Sequence, residues 1–213
     1  MKGCRVIKMK KILFFLMIFS GMLLFGAPKE VAIPDENMKY ENSIVTYMGV
    51  PYTGKLIGNE ADKTEGFDAY ISLKNGHLDG TTEIKNPKQD MYILFTVVNG
   101  KFHGIVKVQV PGLGEAEYTY DMGKIKIEKA KLADGIESDV AYDSAGRVNG
   151  IMIFGGESLT FKNGEANFQG EKMTAKVNYK TNKIEMTLGE EKIEQDLLTV
   201  EKFEAMILPS ITE

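Results

Sequence analysis

Two histidines, one cysteine and scattered carboxylates are the side chains of this 213-residue chain with the widest chemical range. His77 and His103 share no His-x3-His or cysteine spacing, whereas a metal site needs three or four converging ligands, so the sequence predicts turn residues here and no metal. Cys4, the one cysteine, sits ahead of an apolar run of export-signal type, so the processed chain would contain none and could form no disulfide, thiolate nucleophile or cysteine metal site. Glu115 with Glu117, and Glu190 with Glu191, become acid and base only inside a cleft, and their surroundings read as solvated strand. Pro111-Gly112-Leu113-Gly114 has the glycines of a phosphate cradle but not its lysine, which leaves a hairpin loop. No serine stands in a Gly-x-Ser-x-Gly turn. These residues predict no catalytic group, no cofactor and no enzyme.

Charge narrows the partners. Lys2, Arg5, Lys8, Lys10 and Lys11 precede residue 28 and no acid does, so 21 bases face 30 acids in the rest, a balance of −9. Phosphate and anionic lipid both require clustered bases, so the acidic body argues against nucleic acid and against electrostatic lipid capture. Ile12 to Phe25 is an uncharged run behind Met9-Lys10-Lys11, followed by Gly26 and Ala27. That is the layout of a secretory signal and is shorter than the roughly 20 residues that span a bilayer. Residues 1–27 are therefore expected to be a signal peptide, with the mature chain periplasmic, in the outer envelope or secreted. Residues 28–43 read as a linker or lead-in.

The elements that would position any of these side chains repeat. Gly54-Lys55-Leu56-Ile57-Gly58, Gly76-His77-Leu78-Asp79-Gly80, Gly100-Lys101-Phe102-His103-Gly104 and Gly146-Arg147-Val148-Asn149-Gly150 follow one pattern. Looser copies begin at Gly123, Gly164 and Asn182, the asparagine standing in for glycine. First positions are separated by 22, 24, 23, 23, 18 and 18 residues. Upstream of them apolar residues alternate, as in Ile71 and Leu73, Phe95 and Val97, Leu159 and Phe161, which is the period of a half-buried strand. Asn75-Gly76, Asn99-Gly100 and Asn163-Gly164 supply the two positive φ angles of a type I′ turn. The apolar slot two residues after each first glycine places Leu56, Leu78, Phe102, Ile125, Val148, Ala166 and Ile184 on one face. Gly58, Gly80, Gly104 and Gly150 mark bulges or close backbone approach.

A lone hairpin is marginal in water, so such units must lean on neighbours. The fold expected over residues 44–195 is all-β, an elongated single-layer antiparallel sheet of consecutive hairpins. Thr199 is placed to cap a helix carrying Val200, Phe203 and Ile207, with Pro209 ending it at 208 and residues 196–213 covering the last repeat.

On these residues, from Val50-Pro51-Tyr52-Thr53-Gly54-Lys55-Leu56 through the Asn-Gly units, the chain resembles the bacterial MORN-variant repeats grouped with YwqK-type antitoxins. It lacks their frequent tryptophan. The resemblance implies sequential hairpins that serve in binding or scaffolding, with no catalytic residues. A protein or envelope component is the expected partner, an antitoxin or immunity-like role the alternative, and no partner-binding residue is singled out.

Overall fold

The computed structural model describes residues 27–212 except 61, 62, 64, 65 and 155, with side chains to residue 209. Residues 1–26 of the expected export segment, Cys4 included, lie outside the described residues. Residues 28–43, expected as a lead-in, carry two strands. In β1 (Glu30–Ile33) the alternation buries Val31 and Ile33, and in β2 (Met38–Glu41) Met38 is buried. Of the mixed charges that suggested a linker, Glu30, Lys39 and Glu41 occupy exposed positions of these strands, and Lys29, Asp35 and Glu36 lie outside them. Tight turns with positive φ at Asn42-Ser43 and Met48-Gly49 join β2 to β3 (Ile44–Tyr47) and β4 (Val50–Pro51) in a small antiparallel sheet.

Hairpins then follow in order: β5 (Gly54–Gly58), β6 (Asp68–Lys74), β7 (His77–Asn86), β8 (Met91–Val98), short β9 (Lys101–Phe102), β10 (Gly104–Val110), β11 (Gly114–Asp121), β12 (Lys124–Leu132), β13 (Glu137–Tyr142), β14 (Val148–Phe154) and β15 (Glu157–Phe161). With β1 added in parallel beside β5, and β9 paired to β8, they make one open twelve-stranded sheet whose other pairings are antiparallel between successive strands. The all-β array of consecutive hairpins expected from the repeat is what the chain forms. Asn75, Asn99 and Asn163 have φ of 53°, 52° and 54°, each followed by a positive-φ glycine, as type I′ turns require.

The inner face is apolar because the repeats up to the one at Gly146 deliver the same position to it, whereas Ala166 and Ile184, expected on that face, are half-buried and lie outside the long sheet. Leu56, Leu78, Phe102, Ile125 and Val148 are all buried, joined by Ile71, Leu73, Phe95, Val97, Leu159 and Phe161 from the strands before each turn. On the outer face the register instead sets Lys107 against Glu117, Glu117 against Lys129 and Lys129 against Asp139. Opposite charges directly across a strand pair are favourable, and this ladder stays solvated.

The array does not continue as one sheet to residue 195. From β16 (Glu165–Phe168) the chain leaves the long sheet, and β17 (Glu171–Asn178), β18 (Lys183–Leu188) and β19 (Glu191–Asp196) form a separate four-stranded antiparallel sheet with it. Backbone bonds from Ala175 N–H to the Gly164 carbonyl (2.8 Å) and from Val177 N–H to the Gly146 carbonyl (2.7 Å) run β17 past the turns of the long sheet.

The C-terminal helix α1 (Val200–Thr212) forms, with two corrections. It runs through Pro209 instead of ending before it. A proline ring keeps helical φ, and the N–H it lacks would have gone to the carbonyl of Ala205, an exposed residue where water can replace it. Nor does it cover the last repeat. Phe203 packs edge-on against Phe95 (4.8 Å between ring centres) and Phe102 (6.2 Å), so the helix lies under β7 to β9 and beside β2. Early repeats present two buried rings, whereas the last strand has none: β19 is exposed throughout. Its edge is guarded by charge, with Lys183 and Lys192 at 2.7 and 2.6 Å holding the Glu194 carboxyl down at about 2.

Candidate functional site

Turns of successive hairpins align along one edge of the long sheet, and backbone bonds tie three of them to the preceding unit. Gly76 N–H donates to the Tyr52 carbonyl (2.7 Å), Gly123 N–H to Phe102 (2.8 Å) and Gly164 N–H to Val148 (2.8 Å). Helix α1 starts against this edge. Thr199 caps it, accepting from Lys202 N–H at Oγ1 (3.4 Å) and from Phe203 N–H at its carbonyl (3.0 Å).

One turn later Glu204 meets the His77 turn. Its carboxylate is buried, 6 % exposed, and Oε1 accepts from Leu78 N–H at 2.6 Å while Oε2 lies 3.3 Å from His77 Nδ1. A buried carboxylate needs such donors, and the bond to a backbone N–H is charge-assisted. The helix is thereby latched to the second repeat by a polar contact beside the aromatic one.

Between this latch and the turns lies an open groove of about 650 Å³, walled by Tyr40 and Ser43 from the small sheet, Lys74, Asn75, His77 and Asp79 from the β6–β7 turn, Asn99 and Gly100 from the next, and Glu201 from the helix. Lys74 Nζ stands 3.8 Å from Asp79, so cation and anion share one wall. Across the start of α1 a smaller hollow of about 290 Å³ is lined by Phe102, Gly123, Lys124, Tyr179, Asn182 and Leu197. There the Tyr179 hydroxyl donates to the Ile125 carbonyl (2.8 Å) and Lys124 Nζ sits 5.6 Å from its ring centre. Burial, helped by Asp143, raises the Tyr179 hydroxyl above its ordinary range.

Other chemically versatile residues are scattered. His103 lies 3.9 Å from Asp121, a different carboxylate from the one His77 meets. Glu115 and Glu117 stand on the outer face in register with Lys131 and Lys129. Residues 111–113 are the β10–β11 turn, closed by Leu113 N–H to the Val110 carbonyl (3.0 Å), and Gly114 opens β11. Among the described residues no group of three or more His, Cys, Asp or Glu is placed to hold a metal ion.

Tyrosines are mostly structural. The Tyr52 hydroxyl donates toward the Pro28 and Lys55 carbonyls at 3.0 and 3.1 Å. Tyr142 donates to Glu128 Oε2 (2.7 Å), whose other oxygen takes Ser138 Oγ (2.8 Å).

Of the repeat positions, Gly76, Gly100, Gly123, Gly146 and Gly164 occupy turns, with Asn182 in a turn at φ 52°. Gly54, Gly58, Gly80, Gly104 and Gly150 lie in strands. At Gly150 a Cβ would strike the Asp139 carbonyl oxygen, the close approach expected of the second glycine, whereas at Gly104 it would meet nothing within 4 Å. Of these positions only Gly100 lines the groove beside α1, where Asn75 and His77, the neighbours of Gly76, stand in its place.

No family model and no curated protein matches this chain.

Glu204 went unread in the sequence, yet it carries a signal. It stands on the stripe of Val200, Phe203 and Ile207, where a charge must find a buried partner. What the groove offers chemically is recognition: donors and acceptors of both charges along an open edge, with the buried Glu204 carboxylate already engaged at both oxygens.

Proposed function

We propose that this chain is an exported, non-enzymatic repeat protein that binds another macromolecule, a protein or envelope component, along its turn edge. The observation carrying this reading is the groove beside α1, where Lys74, His77 and Asp79 of one hairpin face Glu201 of the helix that the Glu204 latch fastens to it. Open and walled by both charges, it suits an extended polypeptide or glycan chain better than a small molecule, for which enclosure of most of the ligand is the rule. The net acidity of the residues after 27 supports a partner other than nucleic acid. The apolar stretch at residues 12–25 supports export.

Photo-crosslinkers placed singly at Ser43, in the groove, and at Thr160, on the outer face, test the binding surface in the producing cells. A partner crosslinked from Ser43 and not from Thr160, and lost in a folded Lys74→Glu/His77→Asp variant, is the expected result. Equal capture from both faces would refute the groove. Fractionation of the same cells tests export, and retention of unprocessed chain in the cytoplasm would sink that part alone.

A further inference from the structure

Four Asn-Gly pairs occur in the chain, at 75–76, 99–100, 149–150 and 163–164. Asparagine before glycine is chemically fragile because no Cβ shields the glycine nitrogen from the asparagine side-chain carbonyl. The fold guards three of the four. Gly76 N–H is bonded to Tyr52 at 2.7 Å and Gly164 N–H to Val148 at 2.8 Å. Asn149 is held through both ends of its amide, Nδ2 donating to the Arg147 carbonyl (3.2 Å) and Oδ1 accepting from Asn163 N–H (2.7 Å), while Gly150 is paired on both sides within the sheet. Asn99 and Gly100 are exposed, and among the described residues neither the Asn99 side chain nor the Gly100 N–H has a hydrogen-bond partner. A Cβ at Gly100 would meet nothing within 4 Å, so there is room for a ring and for water.

We propose that Asn99 is a site of spontaneous deamidation, placed in the wall of the groove. Gly100 N gives its proton to hydroxide and attacks Asn99 Cγ. The N–Cγ bond forms, the Cγ–Nδ2 bond breaks, and ammonia leaves with a proton from solvent. Water then opens the cyclic imide at one of its two carbonyls, giving aspartate or isoaspartate at position 99. Isoaspartate adds one atom to the backbone of a turn whose register sets Val97 opposite Phe102 and Val98 opposite Lys101. Phe102 is one of the two rings that seat Phe203, so the modification loosens α1 from the sheet. Either product also adds a negative charge to a wall that already contains Asp79 and Glu201.

The test incubates the full chain warm at mildly alkaline pH and quantifies aspartate and isoaspartate at each pair by peptide mapping. Position 99 should convert faster than 75, 149 and 163 by about tenfold or more, the factor that corresponds to one retained backbone hydrogen bond. In urea the four rates should converge, because only local sequence remains. Equal rates in the folded chain, or no product at 99, would overturn the proposal. Wild type aged in this way should unfold at lower urea than an identically aged Asn99→Gln control. Unchanged midpoints in both would overturn the loosening of α1.

Discussion

Glu204 puts a charge on the apolar stripe of α1, and the cost of burying it is offset by Leu78 N–H and His77. Replacement tests which contact matters. Glu204→Gln keeps an oxygen for Leu78 N–H, so its stability in urea should fall by less than about 1 kcal/mol, the net worth of a neutral hydrogen bond. Glu204→Leu fills the space but orphans that N–H, and the loss should reach about 1–3 kcal/mol. If Leu is tolerated as well as Gln, the latch is not holding the helix. Thr82 presents the opposite case. It is fully buried between Ile71 and Phe95 on the inner face, and among the described residues its hydroxyl has no partner. Thr82→Val removes an unmade hydrogen bond at nearly constant shape, and the urea midpoint should rise by the equivalent of about 1 kcal/mol. A fall of that size would mean that the hydroxyl is satisfied in solution.

Hairpin turns are the elements most open to sequence reasoning, because an Asn-Gly pair at a strand end states both the backbone angles and the reversal it makes. Turns without that pair were harder to see: Asn42-Ser43, Met48-Gly49 and Gln169-Gly170 take the same left-handed angles without announcing them. The two 18-residue intervals at the end of the repeat coincide with the place where the chain leaves the long sheet, a signal present in the spacing but uninterpretable until pairing partners are known. Turn glycines also differ in what surrounds them. At Gly146 a Cβ would collide with the Val177 carbonyl oxygen, whereas at Gly100 only the positive φ of 70° opposes a side chain. Gly100→Ala should therefore cost about 1 kcal/mol. Gly146→Ala should cost clearly more, because β17 must also move. Equal losses, measured by urea unfolding of both variants, would show that β17 does not press on the 146 turn.

Assembly of the whole chain depends on contacts distant in sequence, and these were least legible. Nothing local in residues 199–208 says that the helix returns to Phe95 and Phe102, and nothing in Glu204 names Leu78, about 126 residues earlier. The inner face itself was readable, since one position in each repeat up to the one at Gly146 feeds it; how the ends of the chain cover it was not. That buried face sets the response to alkali. Desolvation, with Glu128 adding to it, pushes the Tyr118 hydroxyl up to about 12. Tyr120 and Tyr142 are raised further by burial first and then by neighbouring charge and phenols, with the hydrogen bond to Glu128 also acting on Tyr142. In the unfolded chain all three ionise near pH 10. A raised folded-state value means that the native chain binds more protons above that pH, so stability is fully present below about pH 10 and declines as pH climbs through about 12. Tyr118 alone, shifted by about two units, corresponds to a loss of about 2–3 kcal/mol across that window. Absorbance titration of tyrosinate should accordingly show an early wave and then a late, steep second wave, carried by Tyr118, Tyr120 and Tyr142, that coincides with loss of the β-sheet circular dichroism signal. Tyr118→Phe has no proton to lose and should move that second wave to higher pH; a single smooth wave near pH 10 with the sheet intact would mean that water already reaches this face.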